Sequence, residues 1–234
     1  MCASHSVARD LKDVSRDRIV VCPPFSEVEE RYDGVLPDEY VLRELIEATT
    51  FNLLYDGSIS PECGIMQMLD ILAVYRDIYN SDIVLRLLNS REEECRNYHE
   101  AVRRRIVEYG LQANVRFVGR TDAAREAAFY LGCDAMLCCD SYGGFIDAVA
   151  RAQYFRLPVL AGTDSSTPEA LGLNQLCFAD DPRRFAAAIH TLRQDGELGR
   201  MLGRIGAKNF EARLSLSGVG RMMVAELKKG MWGA

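Results

Sequence analysis

The sequence predicts an α/β fold, a doubly wound parallel sheet of about six strands with helices on both faces. Three observations predict it. Between Asn114 and Gly172, short apolar runs alternate with helical stretches in the order NVRFVG, DAAREAAFYL, CDAMLCC, IDAVARAQYF and LPVLAG. Parallel strands cannot be joined by tight turns, so this alternation is what a series of right-handed βαβ crossovers requires. Upstream, FNLLYDG and DIVLRLLN continue the alternation, the second apolar enough to be buried on both faces. The turn-forming stretches Gly119, Asp140 to Phe145 and Gly162 to Pro168 all fall at carboxyl ends of strands. In an open parallel sheet that edge is where ligands bind.

In chain order, residues 1–50 read as a linker and the remnant of a preceding half, docked on the main domain of residues 51–234. They hold a short helix (Val7 to Val14), a strand (Arg18 to Cys22), a stretch in which Pro23 and Pro24 favour extended backbone, and a helix from Glu39 to Thr49. In that helix Leu42, Leu45 and Ile46 keep the spacing of one docked face. Next come the strand FNLLYDG, the loop SISPECG and the helix IMQMLDILAVYRDIY, in which Ile65, Met68, Leu69, Leu72 and Tyr75 or Tyr79 line one side. DIVLRLLN follows as a strand, and REEECRNYHEAVRRRIVEYG as a charged helix that Gly110 closes. After LPVLAG and TPEALG come a strand from Asn174 to Phe178 and a helix with Pro182 at its first position and Asp181 as N-cap. A terminal helical stretch from Glu197 to Lys229 is broken near Ser215 to Gly220.

Charge and cysteine usage exclude several functions. Acidic residues number 34 against 28 basic ones, interspersed, for a net charge of −6, so nucleic acid and anionic membrane are not expected partners. The cysteines at 2, 22, 63, 95, 133, 138, 139 and 177 lie mostly within apolar runs without a CxxC pair, as reduced thiols of a cytoplasmic protein do. The apolar runs are shorter than the roughly 20 residues a membrane span needs. His5, His99 and His190 are scattered, with no carboxylate or cysteine at ligand spacing, and read as surface or helix-face residues; no metal site is expected. Neither GxGxxG after the first strand nor GxxxxGK occurs, which argues against a dinucleotide fingerprint or a P-loop.

The order of the pieces carries more information than any one of them. FNLLYDGSISPECGI, NVRFVGR, CDAMLCCDSYGGF, LPVLAG and TPEALG succeed one another from Phe51 to about Arg213. In that order they resemble the C-terminal half of a retaining GT-B glycosyltransferase of the sucrose-synthase and mannosyltransferase-like group (glycosyl transferases group 1, family 4-like). The resemblance implies a Rossmann-like domain that binds a nucleotide-sugar donor, without metal or other cofactor, and transfers the sugar to an acceptor held by an N-terminal Rossmann half or another subunit. It implies donor-binding positions at Gly57, Ser58, Arg120, Ser141, Gly143, Gly144, Phe145 and Arg151. The catalytic residues stay unassigned.

The chain departs from that family at its charged positions. Ser58 stands where an arginine is expected, Cys63 where a lysine is expected, and Gly143 and Arg151 where two glutamates are expected. Two readings therefore stay open: an active donor half, or a catalytically inactive GT-B-like binding or interaction module. An unrelated doubly wound enzyme, such as an epimerase or sugar-phosphate binder, is a third. Gly143 and Gly144 also suit a strand-to-helix turn needed with or without a ligand. Asp147 and Arg151 stand four apart, the spacing of a solvated salt bridge, and Arg151 equally suits a phosphate.

Overall fold

Parallel strands in the order β3-β2-β1-β4-β5-β6 form the single sheet found in the computed structural model, which describes residues 26–89, 95–139, 146–162, 171–172, 176–178 and 181–232. The strands are β1 (Phe51–Asp56), β2 (Ile83–Leu88), β3 (Val115–Gly119), β4 (Ala135–Cys138), β5 (Val159–Gly162) and β6 (Leu176–Phe178). The helices are α1 (Val28–Tyr32), α2 (Glu39–Glu47), α3 (Ile65–Tyr79), α4 (Arg96–Glu108), α5 (Ala123–Gly132), α6 (Ile146–Tyr154), α7 (Pro182–Gln194), α8 (Gly196–Asn209) and α9 (Leu216–Trp232). The sheet thus has the six strands the sequence predicts, and its order reverses between β1 and β4.

Burial explains why β1 is central. All six of its residues are buried, Asn52 and Asp56 included, and it pairs with β2 over its whole length, Phe51 opposite Ile83 through Asp56 opposite Leu88. On its other side, Leu53 and Leu54 pair with Ala135 and Met136 of β4. One core cluster joins the strands to α3, whose Ile65, Met68, Leu69, Ile71, Leu72 and Tyr75 are buried while Tyr79 is half-buried. Helix α3 packs against α4 and α7; in a second group α5 packs against α2, and α6 against α8 and α1.

The segment before β1 lies on the second group of helices. Val28 and Tyr32 of α1 join Ala127, Ala150, Phe210 and Leu214 in a separate apolar cluster. Gly132 leaves the room that Leu45 and Leu42 of α2 fill. Of the face expected on α2, Leu45 is buried, but Ile46 is 67% exposed and Val41 takes its place inside. The helix is shorter than expected, because Ala48 turns to extended backbone.

Two further expectations become specific. Of the surface or helix-face positions expected for the histidines, His99 takes the second, buried on the inner face of α4. The break in the terminal helical stretch is a π turn at Phe210–Leu214 followed by extended Ser215, whose Oγ accepts from the Gly218 amide at 2.9 Å and starts α9. Asp181 caps α7 as expected, its side chain accepting from the Arg183 amide. The expected elements at 7–14 and 18–22 lie outside the described residues.

Candidate functional site

The carboxyl ends of β1, β2 and β3 surround a cleft of about 430 Å³ lined by Arg31, Asp56, Gly57, Ser58, Asn89, Arg120, Thr121, Glu126 and Arg151. It opens beside the point where strand order reverses, the usual crevice of an open parallel sheet. Four of the expected site residues meet there: Gly57 and Ser58 from the loop after β1, Arg120 from the loop after β3, and Arg151 from α6. The other four, Ser141, Gly143, Gly144 and Phe145, lie outside the described residues.

The cleft has an ionic floor. Glu126 on α5 is fully buried; its Oε2 accepts from Arg31 Nε at 3.0 Å, Arg31 Nη2 at 2.5 Å and Tyr32 Oη at 2.7 Å. Its Oε1 accepts from Asn89 Nδ2 at 2.8 Å and Arg151 Nη1 at 3.3 Å. Asp56, the last residue of β1, accepts from Tyr130 Oη at 2.6 Å and Asn89 Nδ2 at 2.7 Å, and pairs with Arg151 Nη2 at 3.1 Å. A buried carboxylate survives only when its lone pairs are used in this way.

Arg151 is therefore not the solvated partner that its spacing from Asp147 suggests. Its side chain is 13% exposed and reaches Asp56 and Glu126 as well as Asp147, the last at 3.4 Å. Asp147 itself is exposed and accepts from Ser26 Oγ at 2.7 Å. Among the described residues Arg151 Nε has no hydrogen-bond partner.

Titration follows from the same contacts. Burial pushes the Asp56 carboxyl up, against the opposing pull of Arg151 and of hydrogen bonds from Tyr130 and Asn89. Burial likewise raises Tyr32 and Tyr130 well above the ordinary tyrosine range, each next to a carboxylate. For Arg151 burial acts downward, but Tyr130 and the carboxylates of Asp56, Asp147 and Glu126 together outweigh it and hold the guanidinium protonated.

The loop after β1 is built differently. Tyr55 Oη donates to the Ser58 carbonyl at 2.6 Å, while Cys63 Sγ lies 3.1 Å from Ser60 Oγ and 3.6 Å from Ser58 Oγ. Gly64 follows with φ 67° and begins α3. A Cβ on Gly64 would overlap the carbonyl of Cys139, so the amino end of α3 is pressed against the carboxyl end of β4. The amide groups at that helix end carry a partial positive charge.

Reading the sequence missed Arg31, Asp56, Asn89, Thr121 and Glu126. Two signals were present: Asn89 directly follows a buried strand, where a left-handed residue is common, and Glu126 interrupts the apolar run AAREAAFYL. The structure places Asn89 at φ 57°.

Residues 43–209 match the family model described as Glycosyl transferases group 1. The chain belongs to this family. Solved structures agree on the fold. A glycosyltransferase from Rickettsia africae ESF-5 superposes with a TM-score of 0.79 at 14% identity, covering 99% of this chain and 63% of the other. Sucrose-phosphate synthase from Thermosynechococcus elongatus gives 0.77 at 18% identity, covering 98% and 56%. Anabaena HepE, solved in complex with UDP and glucose, gives 0.75 at 16% identity, covering 97% and 62%. This glycosyltransferase group 1 chain thus spans less than two thirds of each of those relatives. No curated protein sequence matches it. None of the described helices is long and apolar enough to cross a membrane.

Proposed function

We propose that this chain is the donor half of a glycosyltransferase, holding a nucleotide-sugar at the carboxyl edge of its sheet while a second Rossmann half or subunit holds the acceptor. One observation carries the reading: the loops after β1, β2 and β3, together with α1, α5 and α6, converge on a single cleft of about 430 Å³ at the strand-order reversal. That volume lies within the range of small-ligand sites, roughly 300 to 1,000 Å³. The amino end of α3, which closes the loop that carries Ser58, favours a diphosphate, and the hydroxyl and amide groups of Ser58, Asn89 and Thr121 suit a polyhydroxylated ligand. HepE, which shares the fold, is described with UDP and with UDP-glucose bound. The donor is a substrate in this reading, with no further cofactor, and half-buried or buried cysteines outside any disulfide, Cys63, Cys95, Cys133, Cys138 and Cys139, fit a cytoplasmic setting.

A specific observation favours a second reading, a catalytically silent binding module. Arg151 occupies the position where the resemblance expects a glutamate, and its charge is already met by Asp56, Glu126 and Asp147. Thermal-shift titration with UDP-, GDP- and ADP-sugars tests both. A donor that binds the native state raises Tm by mass action, and absence of any shift at millimolar concentration removes the donor reading. Binding without release of sugar to water or to alcohol acceptors supports the silent module.

A further inference from the structure

If a nucleotide diphosphate sits in this cleft, its charge must be met by a cation, and the loop after β1 has none at the two expected places. Ser58 and Cys63 occupy them, and their hydroxyl and thiol lie against each other. The positive charge of the cleft stands elsewhere in its lining. Three guanidinium groups, Arg31, Arg120 and Arg151, line it together with two carboxylates, Asp56 and Glu126, so the lining carries one surplus positive charge in a chain of net charge −6.

The three arginines are not equally available. Arg151 is 13% exposed, with both terminal nitrogens on carboxylates. Arg31 is 47% exposed, but gives Nε and Nη2 to Glu126. Arg120 is exposed, lines the cleft, and has no ion pair or hydrogen bond among the described residues. Its backbone is nonetheless well placed. Gly119 turns the chain out of β3 with φ 74°, and Asn89 Oδ1 accepts from the Thr121 amide at 3.4 Å and hydroxyl at 3.3 Å. The residue between is thereby held at the wall while its side chain keeps its full fork of donors, the geometry that binds phosphate oxygens in pairs.

We infer that Arg120 is the phosphate-neutralising residue of the nucleotide site, the cation having moved from the loop after β1 to the loop after β3. The inference rests on the nucleotide-sugar reading above. Arg151 and Arg31 act behind it, holding Asp56 and Glu126 neutralised so that two buried carboxylates do not repel the incoming diphosphate.

Isothermal titration of the wild-type chain with UDP, GDP and ADP, and then of Arg120→Ala and Arg120→Lys with the tightest of them, provides the test. Loss of a charge-assisted contact weakens binding about tenfold or more, so Arg120→Ala should show that loss with its melting temperature unchanged. Arg120→Lys, which keeps the charge but not the paired donors, should fall between Arg120→Ala and wild type. The matching nucleoside should bind wild type and Arg120→Ala alike. Equal diphosphate affinity of Arg120→Ala and wild type overturns the inference and leaves the nucleotide reading standing; so does an equal loss for nucleoside and diphosphate, which would move the contact to the base. A wild-type chain that binds none of the three at millimolar concentration ends both.

Discussion

Arg151 Nη2 lies 3.1 Å from Asp56 Oδ2, so that a cation carried by α6 meets a buried carboxylate at the last residue of the central strand. The pair is mutually dependent. Asp56 is 2% exposed and Arg151 13%, and neither has enough water around it to stand charged alone. Glu126, fully buried, takes the other terminal nitrogen of Arg151, so α5, α6 and β1 are tied at one point.

Removing one member should therefore cost far more than a surface ion pair. Arg151→Leu leaves Asp56 and Glu126 without their shared cation and should lower stability by about 3 to 5 kcal/mol. In a chain of this size that is a Tm loss on the order of 10 °C. The double variant Arg151→Leu/Glu126→Leu should recover a large part, because it removes a buried anion together with the cation. Urea unfolding of the two singles and the double measures the coupling; additive losses would show that the contacts are independent.

Stability should also depend on pH through Asp56. Its carboxyl titrates above the ordinary 3.8 because burial disfavours the charged form. The native state thus holds its proton at pH values where the unfolded chain has released it. This contribution is complete below the unfolded value and declines as pH rises from 3.8 through the raised value. Asp134 is raised in the same direction, again mainly by burial. Chemical denaturation between pH 3 and pH 7 should show stability falling less, or rising more, with pH in Asp56→Asn than in wild type. An unchanged slope would place the proton elsewhere.

Gly64→Ala should be severely destabilising. The glycine has φ 67°, and its added methyl would overlap the Cys139 carbonyl, backbone that cannot rotate away. The expected cost is about 3 kcal/mol or more, combining left-handed strain with overpacking. Gly34→Ala is the control, since Gly34 has a similar φ of 66° but open space around its Cβ direction. It should cost only the backbone strain, about 1 kcal/mol. Comparable losses in the two variants would mean that α3 is not seated on β4.

Ser58→Arg restores a cation where the family has one. Ser58 is exposed and lines the cleft, so the substitution should fold normally and strengthen nucleotide diphosphate binding about tenfold. Titration calorimetry against wild type measures it. No gain would indicate that the loop after β1 does not face the diphosphate.

How much of this was legible in the sequence depends on the range of the interaction. Period and punctuation act over a few residues: the apolar runs of β1 and β2, the spacing of Ile65, Met68, Leu69 and Leu72 on α3, and Asp181 before Pro182 each carry their own signal. So do the turn-forming stretches at the strand ends, whereas Gly57, Ser58, Arg120 and Arg151 are positions that the resemblance implies. Side-chain partners have no such local signal. Arg31 and Glu126 are 95 residues apart, and Asn89 and Asp56 are 33 apart. The apolar run around Glu126 points to burial, but nothing in its neighbourhood names the four residues that donate to it.

The sequence by itself determined the strand and helix succession, the doubly wound class and the edge on which a ligand would lie, because each follows from periodicity and from the crossover a parallel pair requires. Only the tertiary structure decided what Arg151 does. It stands four positions after Asp147, which predicts a solvated pair, but folding also brings Asp56 and Glu126 to it and leaves it 13% exposed. A charge takes its partners from whatever the sheet order gathers around it, and that order depends on how all the strands pack at once.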